Sequence, residues 1–275
     1  MLGRKGKTAA GPMQCQQLSN YAVMSMEGDM DTSTAVIMGL ALAAGGLVKG
    51  ATGMGLPLIA LPVLTAVLGL QHAVGLMTVP MILTNAWQVQ RFRVSAREPL
   101  LAFLPLFILA GAVGIGVGTW ALTTLPERLL ILALGILLLG YVALRLLRPH
   151  WSLTAAQVKR WGPFAGLGAG VLQGATGISS PIGVTFIHSM GLARDAHVYA
   201  VSAMFLLFSL VQVPALLVAG VMRADWLLQG GLALVPILVF MPLGQWLGGK
   251  LSRQGFDRMI LMFLGLIGLK MLLGL

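Results

Sequence analysis

Beyond residue 32 the chain falls into ten apolar segments, and no Asp or Glu lies in the interior of any of them. They run over 33–51, 55–70, 73–91, 99–121 and 127–147, then over 162–177, 180–192, 195–220, 226–250 and 257–275. Inside lipid a backbone can satisfy its polar groups only as a helix or a closed barrel, and segments of this length and apolarity suit helices. Charged residues make up 9% of the chain and hydrophobic ones 57%, whereas soluble domains carry roughly a quarter charged residues. The chain reads as an all-α polytopic membrane protein with the lipid bilayer as its solvent. Its 36 Gly suit close packing of membrane helices.

Two of the segments break in the same way. Gly50-Ala51-Thr52-Gly53 recurs as Gly174-Ala175-Thr176-Gly177, and Pro57 and Pro181 follow at the same distance. Gly and Pro interrupt a helix and free backbone groups that lipid cannot satisfy, so paired breaks in two halves point to a transporter's binding site. At the same offset of 124 residues Gly46 matches Gly170, Val74 matches Val198, and Gln88-Val89 matches Gln212-Val213. Toward the ends of the halves an offset of 130 matches Gly114 and Gly118 with Gly244 and Gly248, and Arg128 with Arg258. Residues 33–147 form a first transmembrane repeat, 148–161 a basic linker and 162–275 a second repeat, behind a polar tail over 1–32 that reads as disordered.

Loop charge gives the repeat its sense. Arg91, Arg93 and Arg97, then Arg145, Arg148, Lys159 and Arg160, then Lys250, Arg253 and Arg258 form three basic clusters. All three fall on the cytoplasmic side if both termini lie outside. Five segments per half then make the second half inverted relative to the first. The expected fold is an inverted repeat of two homologous halves. Each half has a broken or re-entrant helical element plus three long spans. The first two segments of each half look short, which suggests a hairpin with its break near the midplane; a full first span with an interfacial turn is the other reading. The excess of Lys and Arg, 18 against 8 acidic residues, belongs to these loops and not to a nucleic-acid surface.

The chemistry near the breaks suits an anion. Helix N-termini and Gly-rich turns offer backbone N–H groups, and Thr52, Thr176, Ser179 and Ser180 add hydroxyls. Gly53, Gly55 and Gly177 allow close approach. Lys49 precedes the first break, and its repeat mate is the neutral Gln173. Lys49 either carries charge to a substrate or snorkels to the interface. Asn85, Gln88, Ser209 and Gln212 sit at corresponding places in the third segments, where they could line a path or bond helices together. Glu98, Glu127, Asp195, Asp225 and Asp257 stand where helices begin, as capping and the helix dipole favour. No intramembrane carboxylate is left to relay protons or hold a cation by charge, and His188 reads as a packed or interfacial residue. The single Cys15 lies in the tail, so no metal cluster, cofactor site or intramembrane nucleophile is proposed.

The run Gly46-Leu-Val-Lys49-Gly50-Ala-Thr52-Gly53-Met-Gly55-Leu-Pro57 has a second copy, Gly170-Val-Leu-Gln173-Gly174-Ala-Thr176-Gly177-Ile-Ser179-Ser180-Pro181. Together they resemble the TauE/SafE family of membrane transporters from about residue 33 onward. Ser179 and Ser180 depart from the family's Gly-rich pattern. The resemblance implies a non-enzymatic exporter of a small anion, such as sulfite or an organosulfonate, in a bacterial inner membrane. Its usual eight spans correspond here to six long spans and two broken elements. Alternating access would place the substrate between the two breaks. Import of a sulfur-containing or carboxylate anion coupled to Na+ or H+, and a non-transport assembly role, are the alternatives. A homodimer stays open.

Overall fold

The computed structural model describes residues 32–147, 152–248 and 253–273, and every regular element among them is helical. The tail with Cys15, linker residues 148–151 and Lys250 lie outside the described residues. The helices are α1 Thr32–Thr52, α2 Leu56–Leu68, α3 Leu70–Arg91, α4 Leu104–Thr124, α5 Glu127–Leu147, α6 Ala155–Thr176, α7 Gly183–His188, α8 Arg194–Val218, α9 Ala224–Gly248 and α10 Arg253–Leu273. Two 3-10 turns, Arg93–Arg97 and Pro99–Phe103, join α3 to α4. Five stretches are long and apolar enough to cross a membrane: Thr32–Thr52, Pro99–Thr124, Glu127–Leu144, Arg194–Val218 and Ala224–Leu247. By its contacts the chain divides into Met1–Ile37 and Met38–Leu275, and the packing that follows is all within the second unit.

The short elements are fewer than the apolar segments suggest. Helix α1 has 21 residues and α6 has 22, each long enough to span, while α2 has 13 and α7 only six. Helix α6 begins seven residues ahead of its apolar segment because Thr154 starts it with a capping box. The Thr154 hydroxyl accepts from the Gln157 backbone amide, and the Gln157 side-chain Oε1 accepts from the Thr154 backbone amide at 2.9 Å. Lys159 and Arg160 therefore lie on α6 and not in a linker. At the start of α5, Glu127 Oε1 accepts the Leu70 amide at 2.6 Å, so this carboxylate caps a neighbouring helix, α3.

Two helix pairs approach until backbone meets backbone. Side chains added to Gly46 and Gly50 of α1 would collide with the carbonyls of Ile237 and Met241 on α9. Side chains on Gly170 and Gly174 of α6 would collide with those of Gly111 and Ile115 on α4. Likewise Gly244 of α9 sits on Leu47, and Gly118 of α4 on Val171. Ile237 with Gly111, Met241 with Ile115 and Gly244 with Gly118 are each 126 residues apart. That spacing differs by about one helical turn from the offset of 130 read from Gly114 and Gly118. Elsewhere α3 packs on α8, α9 and α2, α4 on α8, and α5 on α10.

Candidate functional site

Both breaks are built by the same bonds. The Gly53 amide donates to the Lys49 carbonyl at 2.7 Å, and the Gly177 amide to the Gln173 carbonyl at 2.8 Å. Gly53 and Gly177 have φ of 78° and 72°, the left-handed conformation that closes a helix C-terminus at low cost for glycine. The Thr52 hydroxyl donates to Val48 O and the Thr176 hydroxyl to Leu172 O, both at 2.8 Å. Each hydroxyl also accepts an amide two residues on, from Met54 and from Ile178. Thr52 has a second acceptor that Thr176 lacks, the Met54 carbonyl at 2.6 Å, so both threonines fasten their turns but only the Thr176 proton is confined to its own helix.

Each turn rests on the third helix of the other half. Gly53 abuts Val198 in the second turn of α8, and Gly177 abuts Val74 in the second turn of α3. Val74 and Val198 are the pair related by the 124-residue offset. Gln88, near the end of α3, accepts a hydrogen bond from Ser202 near the start of α8. Gln173, one turn before Gly177, bonds Gln212 near the end of α8. The helices α3 and α8 therefore run antiparallel, with one turn at each end of the pair. Along α3, Val74 beside Gly177 and Asn85 beside Lys49 are about three helical turns apart. The breaks are not set tip to tip.

Between them lies a layer of buried polar side chains. Lys49 is 1% exposed, and its ammonium donates to Asn85 Oδ1 at 2.7 Å. Asn85 in turn donates to the Met81 carbonyl at 2.7 Å, which fixes the oxygen toward the lysine. Gln173 Nε2 donates to Gln212 Oε1, and Gln212 Nε2 to the Gln173 carbonyl, both at 2.9 Å. Ser202 Oγ donates to Gln88 Oε1 at 3.0 Å. Ser209 Oγ, Ser179 Oγ, Ser180 Oγ and Gln173 Oε1 are also buried. The three hydroxyls have no protein partner. Glu98, Glu127, Asp195 and Asp225 are exposed, so no described carboxylate is buried near Lys49.

A buried ammonium that meets only a neutral amide is poorly compensated, since desolvating an ion costs several kcal/mol that its partners must recover. The layer supplies charge from one half and neutral donors from the other. The two breaks also differ in exposure. Ala51 through Met54 are half-buried, whereas Gln173 through Pro181 are buried, and Gly55 is buried behind the first turn. His188 is half-buried at the end of α7, with its ring edge-on to His197 at 5.5 Å. Thr78 and Ser202 belong to the buried layer but were not singled out by residue type. The signal that could have found them is the offset itself, which carries Thr78 to Ser202 as it carries Gln88 to Gln212.

Among the described residues no group of three or more His, Cys, Asp or Glu could hold a metal ion. A family model described as Sulfite exporter TauE/SafE matches residues 37–271. No curated protein and no solved structure compared with the chain matches it.

Proposed function

The chain belongs to the TauE/SafE sulfite exporter family, and from that premise we propose that it carries a small oxyanion, sulfite or an organosulfonate, out of the cell by alternating access. The site is the polar layer between the two breaks. One observation carries this reading: the buried Lys49 has Asn85 for its partner and, among the described residues, no carboxylate beside it. An anion completes the coordination of that ammonium, and the unpaired Ser179 and Ser180 hydroxyls offer donors to its oxygens.

The paired backbone contacts support an inverted repeat. The first half's broken helix α1 packs on α9 of the second half, and the second half's α6 packs on α4 of the first. Such crossed halves suit a rocking motion about a central site. Outward movement of an anion runs down an inside-negative potential and gains about 2.3 kcal/mol per charge per 100 mV. Export therefore needs no coupling ion and no acidic residue to bind one. The membrane is taken as the bacterial inner membrane, with the basic loops inside.

Flux of a sulfonate in proteoliposomes tests the assignment. Lys49→Met is expected to lower flux at least about tenfold, in line with removal of one partner from a buried charge pair, while Lys49→Arg keeps a measurable fraction. Unchanged flux with Lys49→Met would overturn the site. Dependence on an imposed Na+ or proton gradient would overturn uncoupled export.

A further inference from the structure

The buried polar pairs do not obey the repeat they are built from. Gln212 bonds Gln173 within the second half, so the corresponding Gln88 should bond Lys49 within the first. Instead Gln88 is taken by Ser202 across the α3–α8 contact, and Lys49 turns to Asn85. The counterpart of the Gln88–Ser202 bond would join Gln212 to Thr78, since both pairs are related by 124 residues. The antiparallel course of α3 and α8 sets Thr78 opposite Gln212 as it sets Gln88 opposite Ser202. Thr78 is nevertheless turned back on its own helix, donating to the Gly75 carbonyl at 2.6 Å. Thr78, Gln88, Ser202 and Gln212 are all buried.

We infer that Ser202 and Thr78 are alternate positioning residues of the transport cycle, each holding the opposite half's glutamine in one of two mirror-related states. The state with Gln88 on Ser202 has its first break half-exposed and its second break buried. In the mirror state Gln88 leaves Ser202 and bonds Lys49, Gln212 leaves Gln173 for Thr78, and Ser202 turns back toward the Tyr199 carbonyl. The exchange couples the cycle to the charge at the site, because Gln88 alternates between latch and lysine. This inference rests on the inverted-repeat reading of the proposed transporter.

Ala51 and Ala175 are matched reporters, the same residue in the two breaks, half-buried in one and buried in the other. In a Cys15→Ser background, Ala51→Cys and Ala175→Cys are introduced singly, and their labelling rates with a small thiol reagent are measured in proteoliposomes. The parent should label faster at position 51. Ser202→Ala should raise the rate at 175 and lower it at 51 by about threefold, the scale of an average side-chain hydrogen bond within a membrane. Thr78→Val should shift both reporters the opposite way. Ser202→Thr keeps a hydroxyl and should resemble the parent. Shifts in the same direction for the two substitutions, no shift, or equal effects of Ser202→Ala and Ser202→Thr would overturn the inference. Lys49 variants separate the two readings. If flux depends on Lys49 but labelling ignores Ser202 and Thr78, only the alternation fails. If labelling shifts but flux ignores Lys49, only the site assignment fails.

Discussion

Asn85 decides how Lys49 behaves. Its oxygen lies 2.7 Å from the ammonium, held there by the bond from its amide to Met81. It supplies a dipole and no charge, so on the proposed reading the negative partner of the ammonium would be the substrate. A carboxylate at this place would supply that charge permanently. Asn85→Asp is therefore expected to raise the KM for a sulfonate at least about tenfold, because the substrate must compete with a fixed partner whose pairing is worth a few kcal/mol. Asn85→Gln keeps the amide and should be milder. Measured KM values of the two variants, with their amounts of folded protein as a control, check this. The sequence brings Lys49 to notice through its place before the first break and its neutral mate Gln173. It does not reveal the pairing with Asn85, because a lysine's reach of about one helical turn takes in candidates on each helix packed against it. Ser202 and Thr78 stay inconspicuous for another reason: hydroxyls in apolar helices commonly bond their own backbone, as Thr84 does with Pro80.

At the level of elements, the glycine seams set how closely α1 lies on α9 and α6 on α4. A methyl group at Gly50 or Gly174 meets a carbonyl that cannot move without unwinding its helix, whereas one at Gly116 or Gly140 meets nothing within 4 Å. Gly50→Ala and Gly174→Ala should each cost about 1–3 kcal/mol, the usual price of overpacking. They should lower the thermal midpoint of the purified protein, and Gly116→Ala and Gly140→Ala should leave it unchanged. Glu127→Ala removes the cap on Leu70 and should cost about 1 kcal/mol. The same seams show where pattern reading succeeds and where it slips. The Gly-Ala-Thr-Gly copies align without a gap, and their turns carry matching hydrogen bonds. By letter 130 is the better register for α4 and α9, since it pairs Gly114 with Gly244 and Gly118 with Gly248, whereas 126 pairs only Gly118 with Gly244. The contacts made with α1 and α6 nevertheless fall on residues 126 apart. The extra length of α6 was hidden too, since a capping box lets a helix start in polar sequence.

For the whole molecule the consequence is electrical. Given the proposed site, a carrier with one lysine and no buried described carboxylate would bind an anion without a compensating cation, and each cycle would move net charge. With no other gradient, a uniporter of a monoanion should accumulate substrate on the positive side until the chemical gradient balances the field, a ratio of about 50 at 100 mV. An ionophore that collapses proton or Na+ gradients while a K+ diffusion potential is held should leave that ratio intact. A coupled importer should do the reverse, concentrating substrate on the negative side and failing when the driving gradient is removed. The measurement is the steady-state distribution of a labelled sulfonate in proteoliposomes at clamped potentials of both signs. A distribution that follows the sign of the potential and ignores the ion gradients is the expected result. One that follows an ion gradient would place cation binding on backbone carbonyls, since the described carboxylates are exposed at the helix starts.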